Sequence, residues 1–133
     1  CELEVDLRAA TADAFDAAAA ELERLAASPT VEGVTISVRR SAGHPPMEKT
    51  AASARLVALA VGLASELGFE LQDASTGGAS DANTTAALGV PTLDGLGPIG
   101  GDDHSVDEWL DLGSVAPRTT LLAGLIDRIG AAL

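Results

Sequence analysis

The first nine residues, CELEVDLRA, alternate strictly: Leu3, Val5 and Leu7 fall on one face, Glu2, Glu4, Asp6 and Arg8 on the other. A strand sends successive side chains to opposite faces, so a period of two marks a half-buried strand. The pattern returns in VTISVRR, where Val34, Ile36 and Val38 oppose Thr35, Ser37 and Arg39. Between them, TADAFDAAAAELERLAASP reads as a helix. Thr11 suits its cap, Asp13 and Asp16 its positive end, Phe15, Leu22 and Leu25 recur at helical spacing, and Pro29 ends it. Residues 1 to 40 therefore predict β-α-β. A right-handed crossover would set the two strands parallel, in one small sheet under an Ala-rich helix.

SAGHPP, residues 41 to 46, breaks this pattern, because consecutive prolines continue neither a helix nor a central strand, and a domain junction is expected there. Beyond it, TAASARLVALAVGLASELG predicts an apolar helix with Thr50 as cap and Gly68 as stop. FELQDA reads as a short strand, TGGAS as a turn, DANTTAAL as a short helix and VPTLDGLG as a buried strand with its exit loop. DEWLDLGSVAP is expected to be a connector. RTTLLAGLIDRIGAAL, with Leu121, Leu122, Leu125, Ile126 and Ile129, is expected to be a closing helix. The alternation argues a layered α/β domain, although two strands cannot make a full sheet.

Composition narrows the function. Eight basic against twenty acidic residues give a net charge of -12, and with one Trp, two Phe and no Tyr the chain lacks the charge and the stacking groups that nucleic acid requires. Apolar residues make up 47%, enough for a core, yet no apolar run approaches the roughly 20 residues of a membrane helix. The lone Cys1 excludes an internal disulfide framework. A chain that starts inside a strand, without an initiator Met, is expected to be the C-terminal part of something longer.

Two stretches could carry chemistry. In TGGASDANTTAALG, Gly77 and Gly78 would let a ligand approach the backbone, and Ser80 with the first helical N–H groups could meet a carboxylate or phosphate. The same residues also read as a capped turn, with Ser80 as N-cap and Asp81 complementing the dipole. In GPIGGDDHSVDEW, His104 is a candidate metal ligand with carboxylates nearby, or an exposed loop histidine; zinc needs three or four ligands, and His44 is the one other histidine. Arg8, beside Asp6 on the polar face of the first strand, reads by default as half of a cross-strand ion pair, His44 as exposed, and Trp109 as a cover for the loop. No Ser-His-Asp order or nucleophile elbow is present, and nothing supports Cys1 as a nucleophile.

Taken in order, EVDLR with its following helix and strand, HPPME, TGGASDANTTAALGVPTLDGLGP and GGDDHSVDEW resemble the C-terminal portion of the two-domain zinc hydrolases. That family, metallopeptidase family twenty, includes glutamate carboxypeptidase, aminoacylase and succinyl-diaminopimelate desuccinylase. The resemblance implies an α/β fold in which residues 1–42 are the second half of a ferredoxin-like lid, or dimerisation, domain, and residues 43–133 the C-terminal part of the catalytic domain. It places His104 where the family has its last zinc ligand. Arg8 falls on the strand arginine that reaches the substrate carboxylate, and Gly77, Gly78, Ala79 and Ser80 on the loop that also meets it. Ala79 replaces the loop's third glycine. His44 stands where close relatives usually have arginine, which implies a weaker, pH-dependent contact or a different substrate end group.

The family's other zinc ligands, its glutamate general base and its lid asparagine and histidine have no counterparts in this chain, so the chain alone is expected to hold metal weakly and to hydrolyse nothing. The complete protein is expected to bind two zinc ions and to cleave a peptide C-terminal residue or an N-acyl amino acid. A homodimer through the lid and a cytoplasmic location are also implied. The alternatives are an N-acyl amino acid deacylase or desuccinylase, and a non-catalytic dimerisation or binding module.

Overall fold

The computed structural model describes residues 1–130. The chain divides into two compact units: residues 1–49 with 76–90, and residues 50–75 with those from Pro91 onward.

In the first unit, helix α1 (Ala12–Ala27) starts where Thr11 turns its hydroxyl to the Ala14 N–H, 3.2 Å away. A second donor at this end, Ala12 N–H, reaches Glu48 Oε1 at 2.7 Å. Asp13 in the first turn and Arg24 in the last complement the helix dipole, and the helix stops before Pro29. The segments expected as flanking strands do not form a sheet: among the described residues neither 1–8 nor 34–40 is paired. Their apolar faces are exposed, Leu3 at 85% and Ile36 at 49%, and so is much of the α1 stripe, including Leu22 and Leu25. Two isolated strands bury too little to hold a ladder, for which three or more, or a helix packed on an apolar face, are needed.

The second unit carries the core. Helix α2 (Ala51–Glu66) is capped by Thr50, whose hydroxyl accepts from Ser53 N–H at 3.0 Å. It ends as expected at Gly68, which takes φ 86°. Gly68 N–H bonds Ser65 O and Phe69 N–H bonds Ala64 O, the paired bonds of a Schellman stop. Phe69 then packs on the cluster of Ala60, Leu63, Ala64, Leu121 and Leu125, as do Leu71, Leu93 and Leu96. FELQDA and VPTLDGLG thus touch the core through these four residues, but neither forms the strand expected of it.

Back in the first unit, helix α3 (Asp81–Ala87) ends on the same type of stop, with Gly89 at φ 82°. The sheet of the described residues is a two-stranded antiparallel one, β1 (Gly100–Gly101) with β2 (Trp109–Leu110), pairing Gly100 with Leu110 and Gly101 with Trp109. It belongs to the second unit, in a stretch read from sequence as turn and connector.

Helix α4 (Leu112–Gly130) begins earlier than expected and contains Pro117. A proline has no N–H, so the carbonyl four residues back, that of Gly113, receives no helical bond from it. Asp111 Oδ1 accepts from Gly113 N–H at 2.8 Å, and Ser114 Oγ bridges Asp111 O (2.6 Å) and Ile99 N–H (2.8 Å). The last three residues of the predicted helix lie outside the described residues. Helices α2 and α4 run in the same direction and in step: Gly124 meets Leu63, and Arg128 pairs with Glu66 one turn on. A Cβ on Gly124 would stand 2.8 Å from Leu63 Cδ2, so glycine is what permits this approach.

Candidate functional site

Arg8 pairs within its own segment rather than across strands. Its Nε and Nη2 both donate to Asp6 Oδ2, at 3.0 and 2.5 Å, while Nη1 donates to the carbonyl of Gly77 at 2.6 Å. Asp6 therefore orients the guanidinium, and Gly77, distant in sequence, is tied to the first segment. The hydrogen bond from Arg8, more than its charge, holds the Asp6 carboxyl below its ordinary value and raises Arg8 correspondingly. A guanidinium has five N–H donors, so three bonds leave two for an incoming carboxylate.

The loop that Arg8 grips has its own order. Gly78 N–H is taken by Thr76 Oγ1 at 3.3 Å, Ser80 N–H by Asn83 Oδ1 at 2.9 Å, and Ser80 Oγ accepts from Ala82 N–H at 3.1 Å. Ser80 is thus the N-cap of α3, in a capping box completed by Asn83. The N–H groups of Gly77 and Ala79 have no partner among the described residues. A Cβ on Gly77 would meet nothing within 4 Å and one on Gly78 only Thr76 Oγ1 at 3.6 Å, and neither glycine has a left-handed φ. Internal packing therefore requires glycine at neither position.

Asn83 also brings in the proline turn: its Nδ2 donates to Pro45 O at 2.8 Å. His44 precedes that carbonyl and is exposed. Arg8, the 77–80 loop and the turn carrying His44 are therefore brought together within the first unit. Asn83, buried with 9% exposure, is the residue that sequence reasoning missed. The Ser-x-x-Asn spacing at the start of DANTTAAL was the available signal, since a polar residue at that position closes a capping box.

His104 belongs to the second unit, on the loop that joins β1 to β2. Asp102 and His104 take φ of 57° and 65°, a left-handed conformation that costs a side chain about 1–2 kcal/mol and that Asp and His adopt more readily than most. Ser105 N–H bonds Asp102 O at 3.2 Å, and Asp107 N–H bonds Ser105 Oγ at 3.1 Å. The two arms are pinned by the strand pair and by Trp109, whose indole lies over Gly101. A Cβ there would be 2.9 Å from Nε1 and 3.0 Å from the ring carbons, and one on Gly100 would be 2.7 Å from the Trp109 carbonyl. Gly100, which faces backbone, is therefore required, whereas a side chain at Gly101 would have to displace the indole.

His104 is exposed, and among the described residues no group of three or more His, Cys, Asp and Glu side chains stands close enough to hold a metal ion. The imidazole has the donor chemistry of a zinc ligand, but these residues alone do not supply the three or four ligands of a zinc centre.

The comparisons agree with the order of these motifs. The family model described as Peptidase family M20/M25/M40 matches residues 4–128. Carboxypeptidase G2 from Pseudomonas sp. (strain RS-16) is 32% identical over 131 residues, an alignment covering 97% of this chain and 32% of that relative. No solved structure matches. The chain belongs to the M20/M25/M40 peptidase family, a family of hydrolases, and spans about a third of the length of the curated relative it matches. Among the described residues no helix is long and apolar enough to cross a membrane.

Proposed function

We propose that this chain forms the carboxylate-holding part of a zinc-dependent hydrolase and contributes its last metal ligand, His104. The substrate is a peptide or N-acyl amino acid whose cleaved product carries a free carboxylate. The observation that carries this reading is the cradle in the first unit. Arg8 is oriented by Asp6 with donors to spare, beside a loop whose Gly77 and Ala79 N–H groups are unpartnered and whose glycines answer to no internal packing need. Its chemistry suits a planar anion with two oxygens. Within this chain the residues bind and orient; His104 offers one imidazole, and the remaining ligands and the general base lie outside this set of residues.

On the same reading, residues 1–42 belong to a lid domain through which the protein dimerises, and residues 43–133 to the catalytic domain. His44, in place of the arginine usual in close relatives, adds an imidazole contact to the carboxylate. The name carboxypeptidase G2 favours peptide C-terminal cleavage over deacylation or desuccinylation.

The test uses the full-length natural protein with dipeptides and N-acyl amino acids, each beside its methyl ester. Arg8→Ala should raise KM for the free acids roughly tenfold, the worth of a charge-assisted hydrogen bond, and leave the esters and the metal content unchanged. Equal losses on acids and esters refute the clamp. His104→Ala should remove one equivalent of zinc and most turnover; full zinc and full activity refute the ligand assignment.

A further inference from the structure

We infer that Asn83 is a positioning residue for the carboxylate cradle, one whose side chain performs two separable tasks. This rests on the reading of residues 77–80 as a substrate-carboxylate loop. The orientation of the amide is fixed by its partners: Ser80 N–H is a donor, so the atom facing it is Oδ1, and Pro45 O is an acceptor, so the atom facing it is Nδ2. The oxygen completes the cap of α3. The nitrogen plays no part in the cap and holds a carbonyl 38 residues earlier in the chain.

Capping alone does not account for asparagine. Glutamate or glutamine is the ordinary partner in a capping box, and a glutamate here would have no donor for Pro45. The proline turn, for its part, offers little else to hold: Pro45 and Pro46 have no N–H, so its backbone is secured chiefly through a carbonyl that accepts. Burial of Asn83 to 9% exposure strengthens both bonds and makes the loss of either partner costly. Asn83 thereby sets the spacing between the turn that carries His44 and the loop of Gly77 and Ala79. Two anion-contacting segments from distant parts of the sequence are held in one register.

The two tasks come apart in two variants of the full-length natural protein. Asn83→Asp keeps an oxygen for Ser80 N–H, at a helix end that favours negative charge, but turns a carboxylate toward Pro45 O and loses the tie. Asn83→Ala loses both. Hydrogen exchange followed by mass spectrometry should show residues 41–48 exchanging faster in both variants and residues 81–88 faster only in Asn83→Ala. Steady-state kinetics with the best-hydrolysed member of a dipeptide and N-acetyl amino acid panel should show KM raised roughly five- to tenfold in both, with kcat little changed and the carboxamide counterpart of that substrate unaffected. Equal KM increases in the neutral and the charged variant show that spacing, not the added charge, is responsible. Wild-type exchange over 41–48 in Asn83→Asp, or faster exchange with unchanged KM, overturns the proposal. A wild type that hydrolyses no member of the panel refutes the carboxylate-hydrolase reading instead, and the tie is then judged on the exchange of residues 41–48 alone.

Discussion

Residues 1–8 and 34–40 and the helix pair α2–α4 both carry regular apolar patterns, yet only the pair buries them. Leu121 and Leu125 are 0% and 2% exposed, whereas Val5 is 65% and Val38 48% exposed. A helix satisfies its own backbone and needs only one neighbouring surface, which α2 and α4 give each other. A strand needs a partner for its hydrogen bonds before its side chains have a surface to cover. Apolar periodicity is therefore a statement about which face would be buried, and the rest of the layer decides whether it is.

The sharpest way to break this contrast is to truncate one residue from each region. Leu121→Ala should lower the unfolding free energy of the second unit by about 3 kcal/mol, because its side chain is fully buried and leaves a cavity. Ile36→Ala, at 49% exposure, should change stability by no more than about 0.5 kcal/mol. Urea denaturation of the two variants gives the comparison directly. A loss at Ile36 as large as that at Leu121 would mean that the exposed face is covered in solution.

A second variant probes how the buried pair is held. Gly124→Ala should raise helix propensity by up to about 1 kcal/mol, yet the new methyl would stand 2.8 Å from Leu63 Cδ2. A net destabilisation of about 1–2 kcal/mol is expected from overpacking. Net stabilisation in the same denaturation experiment would show that the helices move apart at little cost.

The smallest effect belongs to the exposed pair in the first unit. The Asp6 carboxyl is held below its ordinary value by its hydrogen bond from Arg8, so the folded state binds fewer protons than the unfolded state. Its contribution is complete above the ordinary carboxylate pKa, about 4, and is lost as pH falls through the depressed folded value. Both partners are well exposed, and the change should be slight and screened by salt. Denaturation midpoints measured from pH 5 to pH 2 should fall slightly less in Asp6→Asn than in wild type. An identical acid slope would show that the Arg8 pair adds nothing to folding, and that its role is orientation alone.

The features legible in the sequence were those set by neighbours along the chain. Thr11, Thr50 and Ser80 announced three helix starts, and Gly68 a stop, because caps and left-handed stops are local chemistry. Pro117 misled, because a proline reads as a helix breaker, yet it stands inside α4, in its second turn. The hairpin around His104 was hidden because its glycines answer to a tryptophan eight residues from Gly101 rather than to a turn. Of the candidate functional residues, Arg8, His44 and the 77–80 loop in the first unit and His104 in the second were singled out by order and residue type. Asn83 was not: the Ser80-x-x-Asn83 spacing announces its part in the cap, but its other partner, Pro45, is remote in sequence and nothing local points to that bond.

The indole that lies on Gly101 is the chain's single tryptophan, and there is no tyrosine to compete with its light. Excitation near the red edge of its absorption would therefore interrogate one place only, the foot of the His104 loop. The chain carries a built-in optical label, and a shift in its emission would report disturbance of that loop without any dye having been attached.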